Sequence, residues 1–119
     1  MNRENIITNL NSTGVNCIIL AYGVNADKIA DRIEAFAFSK DFLVEETIIN
    51  EKRVFDKALQ HIKEGNISAV LVRNIHDIPI SIDEARTLIK TADEYGISIN
   101  EEQNGWNRLQ MPGEWEDDC

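Results

Sequence analysis

The sequence predicts a three-layer α/β/α domain built on a mainly parallel four-stranded sheet in the order 2-1-3-4. Three observations predict it. Apolar, largely β-branched runs recur at residues 15–22, 42–49, 68–73 and 97–99. Each of the first three is followed by a segment with apolar residues at helical spacing, the alternation that builds a parallel sheet. The connections are long enough for right-handed crossovers, which place helices on both faces.

Residues 15–22 form an apolar, β-branched run apart from Asn16, with Cys17 and Ile18 to Ala21 as the longest apolar stretch, as expected of a strand buried on both sides. Residues 26–39 put Ile29, Ile33, Phe36 and Ala37 on one helical face and turn Asp31, Arg32 and Glu34 outward. Asn25 stands where a cap for this helix would stand. A second strand follows at 42–49. Asn50 is then expected to cap a helix running to Glu64, with Val54, Phe55, Ala58, Leu59 and Ile62 inward and Gly65 as its left-handed stop. Residues 68–73 form the third strand. Beyond a loop containing Pro79, Ser81-Ile82-Asp83-Glu84 reads as a capping box. The helix it starts buries Ala85, Leu88, Ile89 and Ala92, stops at Gly96 and leads into a short strand at 97–99. Ile6, Ile7 and Leu10 predict a short helix ahead of the domain. The expected organisation is an extension at 1–14, an α/β domain at 15–99 and an acidic tail at 100–119.

The chain has 119 residues, 43% of them hydrophobic, enough for one core. Twelve Lys and Arg face 21 Asp and Glu, for a net charge of −9. The tail is the more acidic part: Glu101, Glu102, Glu114, Glu116, Asp117 and Asp118 face only Arg108. Autonomous DNA or membrane-surface binding is not expected, because either needs a cationic face. No apolar run is long enough for a bilayer, and the amino end lacks the pattern of a secretory signal, so a cytoplasmic location is expected. The cysteines (Cys17, Cys119) and histidines (His61, His76) have no short spacing between them, so neither metal nor cofactor is expected.

In such sheets a ligand lies beyond the carboxyl ends of the central strands, where strand order reverses. The loops that reach this place are 22–27 and 74–81. Gly23 alone is no phosphate cradle, and Asp27 already occupies the positive end of the following helix. A phosphorylated receiver domain would need paired acids after the first strand, where Gly23-Val24-Asn25 stands. His76 and Asp77 offer an imidazole beside a carboxylate, but sequence neighbours seldom face each other. The first loop supplies no serine or cysteine for them to activate.

Residues 55–72, from Phe55-Asp56-Lys57-Ala58 through Gly65 to Ala69-Val70-Leu71-Val72, resemble the helix-then-strand core of the catalytic domain of serine site-specific recombinases, the resolvases and invertases. Ala85 to Ile99 is similar to that family's next helix and its Gly-Val-x-Ile exit. Ala21-Tyr22-Gly23-Val24-Asn25 is similar to its Tyr-x-Arg-Val-Ser strand end. The resemblance covers about residues 15–106 and implies the same fold. The family attacks DNA with a serine hydroxyl, and arginines stabilise the phosphoryl transition state. By this resemblance the nucleophile position falls on Asn25 and the neighbouring arginine position on Gly23. The family's Leu-Asp-Arg-Leu-x-Arg loop reads Ile75-His76-Asp77-Ile78-Pro79-Ile80, so Asp77 and Ile80 stand in place of its two arginines. Lys52 and Arg53 keep a cation near the arginine before the second helix, while a Ser-Gly loop is shortened to Asn50-Glu51. The crevice is expected to lack both the nucleophile and the guanidinium groups, and strand exchange to be lost with them.

Three functions are consistent with these residues. The first is a catalytically inactive recombinase-like domain that acts through protein contacts, with a partner or with its own copies. The second is an enzyme with a different site on the same scaffold, which would gather Asn25, Lys52, His76 and Asp77 within about 8 Å. The third is an acidic nucleic-acid mimic that inhibits a DNA-binding protein. Trp106, expected to pack back on the sheet edge, and Trp115, flanked by Glu114, Glu116, Asp117 and Asp118, are the candidate partner contacts.

Overall fold

The computed structural model describes residues 15–109. Four parallel strands, β1 (Asn16–Ala21), β2 (Leu43–Ile49), β3 (Ala69–Val72) and β4 (Ser98–Glu101), form one sheet in the order β2-β1-β3-β4. Helices α1 (Ala26–Ser39), α2 (Val54–Glu64) and α3 (Ile82–Glu94) connect them. The α/β class and the strand order are those expected.

Alternation along β1 divides the core in two. Cys17, Ile19 and Ala21, with Ala69 and Leu71 of β3, meet Ala26, Ile29, Ala30, Ile33 and Ala37 of α1. Ile18 and Leu20, with Val70, Val72 and Ile99, meet Val54, Ala58 and Ile62 of α2 and Leu88, Ile89 and Ala92 of α3. Handedness accounts for the division. The first crossover steps from β1 to one edge, and the next two step the other way, so right-handed connections put α1 on one face and α2 and α3 on the opposite one.

Local signals act where they were expected at two helix ends. Gly65 adopts the left-handed conformation (φ 71°) that ends α2. At the start of α3, Ser81 Oγ accepts the Glu84 N–H and Glu84 Oε1 accepts the Ser81 N–H, both at 3.0 Å. The two asparagines expected to cap do not. Asn25 occupies the cap position of α1, but its backbone (φ −102°, ψ 24°) is not the extended one that aims a cap, and its side chain makes no capping bond. Asn50 sits before a turn, in the left-handed region (φ 53°), and α2 begins only at Val54 with Arg53 at its cap. The Asn50 amide instead pairs with Gly23, accepting its N–H at 3.0 Å and donating to its carbonyl at 3.2 Å.

The boundary expected after residue 99 falls inside β4, and the folded body continues past it. A 3-10 turn (Glu102–Asn104) leads to Gly105, after which the chain returns antiparallel along β4 through an Asn100–Arg108 bridge. The Leu109 N–H donates to the Ile99 carbonyl at 2.7 Å, and buried Asn100 donates to the Trp106 carbonyl at 2.9 Å. This return covers part of the free edge of β4, a surface that would otherwise template pairing with another chain. Trp106 packs back on this edge through its backbone, its N–H donating to the Glu101 carbonyl at 2.7 Å, while its indole reaches α1 and stacks on Phe36. The expected N-terminal helix at Ile6, Ile7 and Leu10, together with Glu114, Trp115, Glu116, Asp117, Asp118 and Cys119, lies outside the described residues. No helix among the described residues is long and apolar enough to cross a membrane.

Candidate functional site

A crevice of about 670 Å³ opens where the strand order reverses. The end of β1 contributes Tyr22, Gly23, Val24 and Asn25, and the first turns of α1 contribute Lys28, Ile29 and Arg32. Arg73 and Asp77 enter from beyond β3, and Gln103 from beyond β4. The topology therefore delivers four separate segments to one rim, as doubly wound sheets do.

Its charges are ordered by two forked ion pairs. Arg32 donates from Nε and Nη2 to the two carboxylate oxygens of Glu102, each at 2.6 Å. Arg73 donates likewise to Asp77, with Nε at 2.7 Å from Oδ2. Paired in this way, each guanidinium is fixed in plane. Glu102 also holds the Arg32 guanidinium more firmly protonated than usual. Around the turn, the Gln103 N–H donates to the Arg73 carbonyl at 3.1 Å, and Asn74 Nδ2 donates to Gln103 Oε1 at 3.0 Å. Buried Glu101 accepts the Ile75 N–H at 2.7 Å, which ties the loop after β3 to the end of β4.

No Ser, Thr or Cys side chain lines the crevice among the described residues. The one hydroxyl on its wall belongs to Tyr22, which donates it to the Glu51 carbonyl. Burial pushes the Tyr22 phenol above its ordinary pKa, so the oxygen keeps its proton. Asn25, at the position where the resemblance would put the nucleophile, presents an amide.

The expectation that this crevice would be free of guanidinium groups is overturned. Arg32 and Arg73 both line it, beside Lys28. Neither arginine belongs to the segments compared with the family's loop, so the comparison passed over them. A signal was nonetheless present: positions 25, 28, 29 and 32 share one face at helical spacing, and Arg73 directly follows the third strand.

The other expected site residues are scattered. Lys52 and Arg53 line a different cavity at the start of α2, where Arg53 pairs with Asp56 at 2.8 Å. His76 and Ile80 line a small third cavity beside α3, and His76 is exposed. Of Asn25, Lys52, His76 and Asp77, only Asn25 and Asp77 share the crevice. Between α2 and β2 lies a separate polar cluster, in which Glu46 meets Lys57 at 2.9 Å and His61 at 2.8 Å. Two of the acids assigned to the tail also act within the body, Glu101 in its buried bond to Ile75 and Glu102 in its pair with Arg32.

The fold and this rim define a class: a resolvase-like α/β domain whose candidate site stands at the topological switch point. Among solved structures, the crystal structure of a resolvase family site-specific recombinase from Streptococcus pneumoniae superposes on it with a TM-score of 0.67. The match covers 79% of this chain and 76% of that one, at 16% identity. At that identity the likeness is one of fold. No protein-family profile matches the chain, and no curated protein sequence does.

Proposed function

We propose that this protein is a recombinase-related domain that does not cut DNA and acts through protein contacts. One observation carries the first half: the described wall of the crevice holds no alcohol or thiol nucleophile, and its single phenol is hydrogen-bonded and held protonated. Cleavage of a phosphodiester through a covalent intermediate requires such an oxygen, and its removal costs several orders of magnitude in rate. The second half is supported by apolar side chains flanking the α1–β2 turn. Phe38 and Leu43 are 82% and 60% exposed, two large apolar side chains at one end of the partly exposed edge strand β2.

Incubation of the purified protein with supercoiled plasmid, followed by denaturing electrophoresis, is expected to show neither nicking nor a protein–DNA adduct. An adduct on any residue overturns the first half. Sedimentation is expected to show an assembly, with itself or with a co-purified partner, that Phe38→Glu dissolves. A strictly monomeric, partnerless protein overturns the second half.

A further inference from the structure

We propose that the switch-point crevice is a binding site for a phosphomonoester carried on a small organic body of about mononucleotide size. The proposal concerns ligand binding alone and stands apart from whether the domain associates with a partner.

Charge is the first ground. The chain is strongly acidic overall, yet Lys28, Arg32 and Arg73 converge on one cavity whose wall holds a single carboxylate, Asp77. With Glu102, which pairs with Arg32 from the turn, three cations still face two anions. Lys28 has no ion-pair or hydrogen-bond partner among the described residues, and its ammonium is available to a ligand.

Geometry is the second. Both carboxylates engage their arginines along the Nε–Nη2 edge, which leaves Nη1 of each guanidinium unengaged among the described residues. Glu102 and Asp77 thus orient the two planar forks and leave each a free donor edge. Two such donors and one ammonium suit a tetrahedral oxyanion with three terminal oxygens better than a flat carboxylate. The cradle is formed before any ligand arrives, which lowers the ordering cost of binding.

Size is the third. A cavity of about 670 Å³ is several times larger than one phosphate and lies within the range typical of small-molecule sites, about 300–1,000 Å³. Ile29 offers apolar wall, while the amides of Asn25 and Gln103 offer polar contacts for the rest of the ligand. The Asn25 amide makes no bond to its own helix, so it is not already engaged there.

The test is calorimetric titration of the full chain with adenosine 5′-monophosphate, inorganic phosphate, adenosine and a duplex oligonucleotide, each at low salt. The monophosphate is expected to bind, inorganic phosphate to bind about tenfold more weakly, and adenosine and the duplex to give no measurable heat. Lys28→Gln is expected to weaken the monophosphate about tenfold with an unchanged melting curve, since the exposed side chain supports no fold contact. Arg73→Gln should weaken it further, with melting measured alongside because Asp77 loses its partner. The proposal is overturned if neither phosphate compound binds, if Lys28→Gln leaves the affinity unchanged, or if the duplex binds as tightly as the monophosphate. None of these outcomes depends on the cleavage or sedimentation results.

Discussion

The indole of Trp106 lies flat on the phenyl ring of Phe36, with centroids 4.3 Å apart and planes 8° from parallel. Phe42 meets the same phenyl ring edge-on at 6.3 Å. The stack clamps the segment after β4 to α1, alongside the Arg32–Glu102 pair. Trp106 stands at φ 63°, a left-handed backbone that disfavours a bulky residue by about 1–2 kcal/mol, and its N–H and carbonyl are both bonded to the end of β4, at 2.7 and 2.9 Å. A partner contact through this indole would first have to break an internal one.

Trp106→Ala is therefore expected to lower stability by about 2 kcal/mol, less than for a fully buried tryptophan because the ring is only half covered. Trp106→Phe should keep most of it. Urea denaturation followed by circular dichroism reads both. Equal losses for the two variants would show that ring stacking is not what the site supplies.

Ser81→Ala removes one half of the capping box at α3 and is expected to cost about 1 kcal/mol. Ser81→Asp keeps an oxygen acceptor for the Glu84 N–H and should cost little. The same denaturation series measures both, and a neutral Ser81→Ala would mean that the exposed first turn frays without consequence.

The fold was far more legible in the sequence than the site was, and the reason is the range of the interactions. Cys17 through Ala21, Gly65 and Ser81–Glu84 act on their own neighbourhood, through burial on two faces, a left-handed stop and a reciprocal cap. Arg32 meets Glu102, and Trp106 meets Phe36, only after the sheet has assembled, so no local pattern announces either pair. The boundary at residue 99 failed for the same reason. The acids that look like a solvated tail include Glu101, which the end of β4 buries against the Ile75 N–H.

Burial pushes the Cys17 thiol up to about 12. The folded state therefore favours the neutral thiol, whereas the unfolded thiol loses its proton near 9.0. The sign follows: stability from this group is complete below pH 9.0 and declines as pH rises toward 12, by at most about 1.4 kcal/mol per pH unit. Cys17→Ala is expected to flatten stability between pH 9 and 10.5 relative to the parent, in urea titrations at each pH. In the native state at neutral pH, Cys17 should resist a thiol reagent and react only on unfolding.

Glu46 is held below the usual carboxylate range, first by the hydrogen bond from His61 and then by that from Lys57. Its contribution is present above the unfolded value of 4.5 and is lost as pH falls through the lowered folded value. Glu46→Gln is expected to lower stability modestly at pH 6, since the cluster is partly exposed to solvent, and to converge on the parent once pH has fallen through that lowered value. Acid titration of the melting temperature measures the convergence of the two curves, and parallel curves would remove Glu46 as the cause.

Asn50 extends the sheet with its side chain. Its backbone N–H donates to the Ala21 carbonyl at 3.0 Å, which continues the β1–β2 ladder. Its amide then adds a further pair of bonds to the N–H and carbonyl of Gly23, where φ is 112°. An asparagine suits this position twice over, because it tolerates the left-handed backbone and its amide reproduces a peptide's donor and acceptor. The loop that carries Val24 and Asn25 to the crevice is thereby held from outside its own sequence. Asn50→Ala should free that loop and cost about 2 kcal/mol through the lost bonds and a strained backbone. Asn50→Gly removes the strain but not the loss, and Asn50→Asp retains only the acceptor for the Gly23 N–H. Amide hydrogen exchange at Gly23 is the direct reading: acceleration should be large in Asn50→Ala and Asn50→Gly and small in Asn50→Asp. If all three variants exchange like the parent, the side chain does not position the loop, and the rim owes its shape to β1 alone.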